Sequence, residues 1–200
     1  MSVMQTALLD TPIGTLTVGA TARGLRMVRF PQDRGRDGAT AVGAAEPDEA
    51  AEMSVAELLA AAGEPLPAGR TADPDRIARA QLDEALLQLR EYFDGTRTAF
   101  DIALDWYGVS GLRLTVLKLL AGVPFGETVT YGALAKGSGA GVTASQAVGG
   151  IMGSNPLPIV VPCHRVLAAD GLGGFGGGLR TKEWLLAWEG VLPPALDWDL

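Results

Sequence analysis

Cysteine and histidine are nearly absent from this chain, which contains one of each among its 200 residues. A single cysteine cannot form an internal disulfide bond, and one cysteine with one histidine cannot supply the ligands of a closed zinc site. The spacing of the acidic residues indicates no other kind of metal site. We therefore expect a protein that works without a metal or a cofactor.

Long apolar runs are also lacking. No stretch approaches the roughly 20 apolar residues that a membrane-spanning helix needs. The N-terminal sequence MSVMQTALLDTPIG has neither the basic start nor the apolar core of a signal peptide. Hydrophobic residues make up 48% of the composition, which is enough to fill a core. We expect a globular cytoplasmic protein without membrane contact, and we expect a monomer.

Positive charge is scarce, with 16 lysines and arginines against 23 acidic residues and a formal net charge of −7. Domains that bind nucleic acid broadly through its phosphates usually carry a basic face. The chain has no lysine or arginine from Gly137 to Cys163. Any contact with nucleic acid must therefore be local.

The N-terminal part of the chain predicts a small sheet. Within the first 31 residues, TPIGTLTVGA and GLRMVRF have the β-branched and apolar residues of strands, with glycines between them. The polar, Gly/Ala-rich sequence that follows has no stable period. It predicts a mobile loop around residues 32–75, with a short helix at 53–62.

A clearer helix is predicted from Asp75 to Gly95, because both residues suit the ends of a helix. Its apolar residues repeat at helical spacing and predict a buried stripe of Leu82, Leu86, Leu89 and Phe93. Residues 99–104 then alternate like an edge strand. We place a domain boundary there, which gives an N-terminal α/β domain of residues 1–104 and a C-terminal domain of residues 105–200.

The pattern after residue 110 is helical. One predicted helix carries an apolar stripe of Leu112, Val116, Leu119 and Leu120. Thr130 and Thr143 are each placed to cap a further short helix. The apolar residues of these two helices are Leu134 in the first and Val148, Ile151 and Met152 in the second. Because only KGSGAG joins them, they predict a helix-turn-helix in a mainly α domain.

The segment NPLPIVVPCHRV, residues 155–166, contains three prolines, the cysteine and the histidine. The prolines exclude a regular helix and favour a stiff, extended path, while Asn155 suits a turn held by side-chain bonds to the backbone. A lone cysteine is usually a small buried apolar residue. Here Cys163 adjoins His164, and a reactive thiolate needs such a neighbour. We expect a bridging water between the two side chains and a lowered pKa of the thiol.

PCHRV, preceded by GGIMGSNPLPIVV and followed by GLGGFGGGLRTKEWLLAWEGV, resembles the O6-alkylguanine-DNA alkyltransferases. GETVTYGALA, TPIGTLTVGA and LREYFDGTRTAFDIAL are similar to other parts of that family, so the resemblance omits only the region of the predicted loop. It implies a ribonuclease H-like N-terminal domain and a winged-helix-like C-terminal domain. The implied function is direct-reversal DNA repair by one irreversible alkyl transfer from O6-alkylguanine, with O4-alkylthymine as a second candidate. The implied partner is double-stranded DNA, approached from the minor groove with the guanine flipped out.

The resemblance also implies a role for each matching residue. Cys163 is the alkyl acceptor, His164 its water-linked base, and Glu183 the carboxylate that orients the histidine. Asn155 braces the turn, and Tyr131 helps to rotate the nucleotide and donates a proton to the guanine ring. The residues implied in holding the base are Val161 and Gly176, through their backbones, and Phe175. The residues expected to contact DNA are Thr130, Tyr131, Thr143, Gln146 and Arg165.

One position departs from the family. Its members place an arginine before A-V-G to fill the space that the flipped nucleotide leaves, whereas this chain has SQAVGG with Gln146 at that position. Helical spacing puts Gln146 opposite Val148 and away from the core. This departure predicts weak DNA affinity. It also keeps open an alternative, a diverged homologue that binds alkyl lesions as a signal or accepts alkyl groups from small molecules.

Overall fold

The computed structural model describes residues 3–31 and 73–194. Nearly all of the predicted loop at 32–75, including its short helix at 53–62, lies outside the described residues. The N-terminal strands form an antiparallel sheet in the order β1-β2-β3, which confirms the predicted small sheet. They are β1 (Gln5–Leu9), β2 (Leu16–Thr21) and β3 (Gly24–Arg29). Over the same residues, no helix has the length and apolar character to cross a membrane.

Helix α1 (Pro74–Phe93) packs against this sheet. Its predicted apolar stripe is confirmed, because Leu82, Leu86, Leu89 and Phe93 are all buried. The N-terminal cap is Asp73, whose side chain accepts a hydrogen bond from the backbone N–H of Asp75 at 3.1 Å. The predicted cap, Asp75, is therefore two residues too late. Gly95 follows the helix with φ 75°, a conformation that favours glycine at a helix end.

The predicted edge strand at residues 99–104 is reduced to one bridge, in which Leu104 pairs with Leu25 of β3. The Leu25 N–H donates to the Ala103 carbonyl at 2.8 Å. The two segments approach this closely because residue 24 is a glycine. A Cβ at that position would lie 2.1 Å from the Ala103 oxygen. The domain boundary after residue 104 stays a prediction.

The C-terminal half is mainly helical, as predicted. Its elements are α2 (Gly111–Ala121), β4 (Val129–Thr130), α3 (Tyr131–Gly137), α4 (Ser145–Gly153), β5 (Val166–Leu167) and α5 (Leu179–Trp188). In α2 the buried residues are Val116, Leu117 and Leu120. Leu112 and Leu119, which belong to the predicted stripe, are 37% and 41% exposed. The buried face of α2 is therefore rotated toward Leu117.

Helices α3 and α4 pack together as the predicted helix-turn-helix. Thr130 caps α3, because its hydroxyl accepts a hydrogen bond from the Ala133 N–H at 3.1 Å. Thr143 does not cap α4, so that prediction is wrong. A turn of 3-10 helix at Val142–Ala144 intervenes, and α4 then begins at Ser145 without a side-chain cap.

A continuous hydrophobic core joins the two halves of the chain. The Phe30 ring, just after β3, meets the Phe175 ring edge-on at 5.4 Å between centroids. The Val28 N–H in β3 donates to the Pro156 carbonyl at 2.9 Å. The N-terminal sheet thus supports the segment that carries Cys163 and the loop that follows it.

Candidate active site

The segment that carries Cys163 is a compact turn rather than the extended path that its prolines predict. The Val161 N–H donates to the Leu157 carbonyl at 2.8 Å. Asn155 braces this turn as predicted: its amide donates to the Val161 carbonyl at 2.7 Å, and its side-chain oxygen accepts from the Leu157 N–H at 3.0 Å. Ile159 is fully buried with φ 76°, a strained conformation for a β-branched residue. Surrounding contacts therefore fix the backbone that presents Cys163.

Cys163 lies at the floor of a cleft of about 740 Å³, a volume typical of small-molecule sites. The residue is 5% exposed. One wall comes from the helix-turn-helix, which contributes Thr130, Tyr131, Gln146 and Met152. The opposite wall is the glycine-rich loop after β5, with Phe175 and Gly176. The single thiol of the chain therefore opens onto this cleft while its side chain stays almost fully buried.

Cys163 rests as a protonated thiol. Burial raises the pKa of the thiol to about 11, although the Asn155 amide and the charge of Lys182 act in the opposite direction. The predicted lowering of this pKa is wrong for the free protein, because desolvation of the thiolate outweighs those favourable interactions. Such a thiol becomes a good nucleophile only when a neighbouring base takes its proton.

His164 is placed to be that base. It is fully buried and follows Cys163 in the same turn of 3-10 helix. Its Nε2 lies 2.8 Å from Oε1 of Glu189, and because a carboxylate only accepts, Nε2 carries the proton. Nδ1 is buried without a hydrogen-bond partner among the described residues, so its lone pair is free to accept a proton. Burial lowers the pKa of His164 against the influence of Glu189, which keeps the ring neutral.

The carboxylate that orients His164 is Glu189, so the prediction of Glu183 is wrong. Glu183 is half-buried on α5, whereas Glu189, just after that helix, is 4% exposed. The sequence contains a signal for this. Residues 182, 185, 186 and 189 follow the i, i+3, i+4, i+7 spacing of one helix face, and all four are buried. Glu183 lies outside that face.

Arg165 pairs with the same carboxylate inside the protein. Its Nε donates to Oε2 of Glu189 and its Nη2 to Oε1, both at 2.8 Å, and its Nη1 donates to the Val123 carbonyl at 2.5 Å. Arg165 is 5% exposed, so the prediction that it contacts DNA is wrong. Burial alone would raise the pKa of Glu189, but hydrogen bonds from His164 and Arg165 outweigh it and bring that pKa to about 2. Glu189 is therefore charged, and Arg165 balances it.

Lys182 is a site residue that the sequence analysis missed. It is fully buried, and its ammonium group donates to the carbonyls of Val166 at 2.6 Å, Leu172, and Gly174 at 3.4 Å. Burial lowers the pKa of Lys182 to about 8. Because Leu172 and Gly174 belong to the glycine-rich loop, these bonds fix that wall of the cleft against β5.

Tyr131 faces Cys163 from the first turn of α3. Its hydroxyl donates to the Gly174 carbonyl at 3.3 Å. Burial raises the pKa of this phenol, and the neighbouring Cys163 adds to the effect. The ring rests on Gly173, which has φ 69° and where a Cβ would lie 2.9 Å from a ring carbon. The glycine at this position therefore allows the loop to close over the tyrosine.

The other predicted residues differ in how they meet the cleft. Val161 is fully buried and is not among the residues that line the cleft. Its carbonyl accepts hydrogen bonds from the Asn155 amide and from the Cys163 N–H at 2.9 Å. Gln146 is exposed in the cleft wall, opposite the buried Val148 as predicted. Thr143 is exposed but lies outside the cleft wall.

Two protein-family models match the chain. Residues 4–106 match the ribonuclease-like domain of 6-O-methylguanine DNA methyltransferase, and residues 112–191 match the DNA-binding domain of the same protein. A methylated-DNA--protein-cysteine methyltransferase of Mycolicibacterium paratuberculosis is 46% identical over 133 residues, which cover 66% of this chain and 76% of that protein.

Solved structures give the same result for the fold. The O6-methylguanine methyltransferase of Mycobacterium tuberculosis superimposes with a TM-score of 0.66 at 31% identity, covering 96% of both chains. The OGT protein of the same organism in complex with DNA superimposes with a TM-score of 0.64 at 32% identity, covering 95% of this chain and 94% of that one. The predicted two-domain architecture is thereby confirmed.

Proposed function

Because this chain belongs to the 6-O-methylguanine DNA methyltransferase family, we propose that it repairs DNA by moving the alkyl group of O6-alkylguanine irreversibly to Cys163. The observation that carries the proposal is the placement of the only thiol at the floor of the cleft, beside a neutral histidine held by Glu189. A soft sulfur nucleophile suits displacement at an sp³ carbon. A paired base removes the obstacle of its high pKa.

The proposed reaction forms one bond and breaks one. The Cys163 sulfur attacks the alkyl carbon while its proton passes, through a bridging water, to Nδ1 of His164. The carbon–O6 bond breaks, and its electron pair goes to the guanine. The resulting imidazolium is stabilised by Glu189, which already accepts its Nε2–H.

Tyr131 completes the proton balance. Its hydroxyl is aimed across the cleft at the glycine-rich loop and is kept protonated by its raised pKa. It can donate its proton to the guanine ring, so that the base leaves neutral, and regain one from the imidazolium by way of solvent. The product at Cys163 is a thioether, which is a poor leaving group. Each chain therefore acts once.

We propose that the guanine reaches Cys163 by flipping out of a duplex bound at the helix-turn-helix through its minor groove. The Cys163 thiol is too deep in the cleft to meet a stacked base, whose alkyl carbon is enclosed by its neighbours. Thr130 and Gln146 at the cleft wall are placed for phosphate or base contacts. Nothing in this proposal requires a second subunit, so we propose that the protein acts as a monomer.

A lesion-binding or small-molecule role is the weaker alternative. A pure binding protein needs no thiol, no unpartnered imidazole nitrogen and no buried carboxylate to orient it. The matches to repair proteins at both domains also favour alkyl transfer.

The test compares two substrates by intact-protein mass spectrometry. We expect one alkyl group per chain from free O6-benzylguanine and from an O6-methylguanine duplex, with no reaction after Cys163→Ala. Thr98→Ala, at an exposed residue of the N-terminal half outside the cleft wall, serves as the matched control. Repeated turnover, or alkylation that survives Cys163→Ala, would contradict the proposal. Reaction with the free base alone would favour the small-molecule alternative.

A further inference from the structure

The Glu189 carboxylate has a third side-chain partner, Tyr92, which comes from α1 in the N-terminal half. The Tyr92 hydroxyl donates to Oε1 of Glu189 at 2.7 Å across 97 positions of sequence. Both residues are buried, Tyr92 fully so. The same Oε1 also receives Nε2 of His164 and Nη2 of Arg165, so three donors converge on one oxygen atom.

We infer that Tyr92 is a positioning residue for alkyl transfer, which holds Glu189 in place and withdraws part of its negative charge from His164. The inference rests on the proposed function for its role in transfer, but its effect on His164 is a property of the free protein.

The geometry explains why the third donor matters. An oxygen atom that serves three donors attracts each less strongly than it would attract two. Arg165 already balances the charge of Glu189. Tyr92 reduces further the pull on a proton at His164, so the imidazole stays neutral and able to accept the proton of Cys163.

The other groups around His164 do not provide this control from outside the C-terminal half. Cys163, Arg165 and Lys182 belong to the same C-terminal half as His164. The positive charges of Arg165 and Lys182 oppose protonation of the imidazole. Tyr92 is packed among aromatic rings from both halves, with Phe93 at 5.1 Å, Phe100 at 5.5 Å and Phe125 at 6.1 Å. Its ring therefore fixes the direction of its hydroxyl.

Tyr92→Phe isolates the hydroxyl, because the ring and its packing are retained. The matched control is Tyr107→Phe, which removes a hydroxyl from a tyrosine that is 52% exposed. His164 is the only histidine of the chain, so protein made without a histidine tag gives one imidazole Hε1 resonance to follow in a proton NMR titration.

We expect the midpoint of the His164 titration to rise by roughly half a pH unit or more in Tyr92→Phe, and to be unchanged in Tyr107→Phe. The acid limb of alkyl transfer to O6-benzylguanine should move upward with it. If Tyr92 served only to pack the two halves together, Tyr92→Phe would lower the melting temperature and leave the His164 titration unchanged. The inference would be overturned if the His164 titration and the acid limb of the transfer rate in Tyr92→Phe superimposed on those of the original protein.

The two hypotheses fail differently. If the original protein transfers no alkyl group, the proposed function fails, while the His164 titration still decides whether Tyr92 controls the imidazole. If the original protein transfers normally and the titration of Tyr92→Phe does not move, only the inference about Tyr92 fails.

Discussion

The floor of the cleft and the wall formed by the helix-turn-helix differ in charge and exposure. Beneath Cys163, the buried ionic groups Arg165, Lys182 and Glu189 are bonded to one another, to His164 or to backbone carbonyls. At the wall, Gln146 is exposed, and the chain from residue 137 to 163 offers no lysine or arginine. The groups beneath Cys163 are therefore preorganised for reaction, whereas the proposed capture of a duplex depends on neutral groups. Changes below Cys163 should affect every substrate, and changes at the wall only the duplex.

The largest effect is expected at Glu189. Glu189→Gln leaves the buried Arg165 without its counter-charge, which should lower the free energy of unfolding by about 3–5 kcal/mol. It also removes the charge that stabilises the imidazolium, so transfer to both substrates should slow. Urea unfolding and mass-spectrometric rates measure the two effects.

Glu183→Gln is the matched control, because it makes the same chemical change one helix face away. It should alter the free energy of unfolding by no more than about 0.5 kcal/mol and leave the transfer rate unchanged. Equal losses of stability and transfer rate in the two variants would mean that neither property depends on the bonds of Glu189 to His164 and Arg165.

The second prediction concerns the thiol. The pKa of Cys163 is raised to about 11 from an ordinary value of 9.0. At pH 9 the folded protein should therefore hold roughly fiftyfold less thiolate than an ordinary cysteine. Iodoacetamide labelling, followed by intact mass, should be slow in the folded protein and fast in urea.

The raised pKa of Cys163 also determines the direction in which the free energy of unfolding changes with pH. Between pH 9 and about 11 the folded chain holds the Cys163 proton while the unfolded chain releases it, so this group stabilises the fold below pH 9 and loses that contribution as the pH rises. Cys163→Ala should lack this part of the alkaline loss of stability. Labelling at the rate of a free thiol throughout would show that burial does not raise the pKa of Cys163.

A smaller effect is expected at Lys182. Lys182→Met removes the ammonium group that holds the carbonyls of Val166, Leu172 and Gly174. The loop that carries Phe175 should loosen, and transfer from free O6-benzylguanine should slow roughly tenfold, the equivalent of one lost charged hydrogen bond. Lys136→Met, at an exposed lysine, should leave the free-base reaction unchanged. Faster hydrogen exchange confined to residues 171–176 would identify the loop as the cause.

The sequence predicted the parts of this comparison that depend on local pattern. Thr130 at its helix cap, Asn155 in its turn and the stripe of α1 follow from short-range bonding and from periodicity. The sequence did not predict the partner of His164, because the buried Glu189 is held by Arg165 and Tyr92, which lie 24 and 97 positions away in the chain. Helical spacing can indicate which face of α5 residue 189 follows, but it does not show that Arg165 and Tyr92 will meet a glutamate there. Extending the α5 face to residue 189 would have made Glu189 the candidate.

Gln146 tests the other side of the comparison and should give the smallest effect. A flipped guanine leaves an unstacked gap and an unpaired cytosine, at a cost of a few kcal/mol unless a side chain enters. Arginine would add stacking area, donors and charge, whereas glutamine is shorter and neutral. Gln146→Arg should therefore populate the flipped state more and accelerate repair of duplex O6-methylguanine roughly several-fold.

The free base provides the control, since it enters the cleft without flipping. The reaction rate of the free base should be nearly the same with Gln, Arg or Gly at residue 146, because Gln146 is exposed in the cleft wall and, among the described residues, makes no hydrogen bond to the groups beneath Cys163. Gln146→Gly should slow the duplex reaction alone. Equal duplex rates for all three side chains would show that residue 146 does not fill the gap left by the flipped nucleotide.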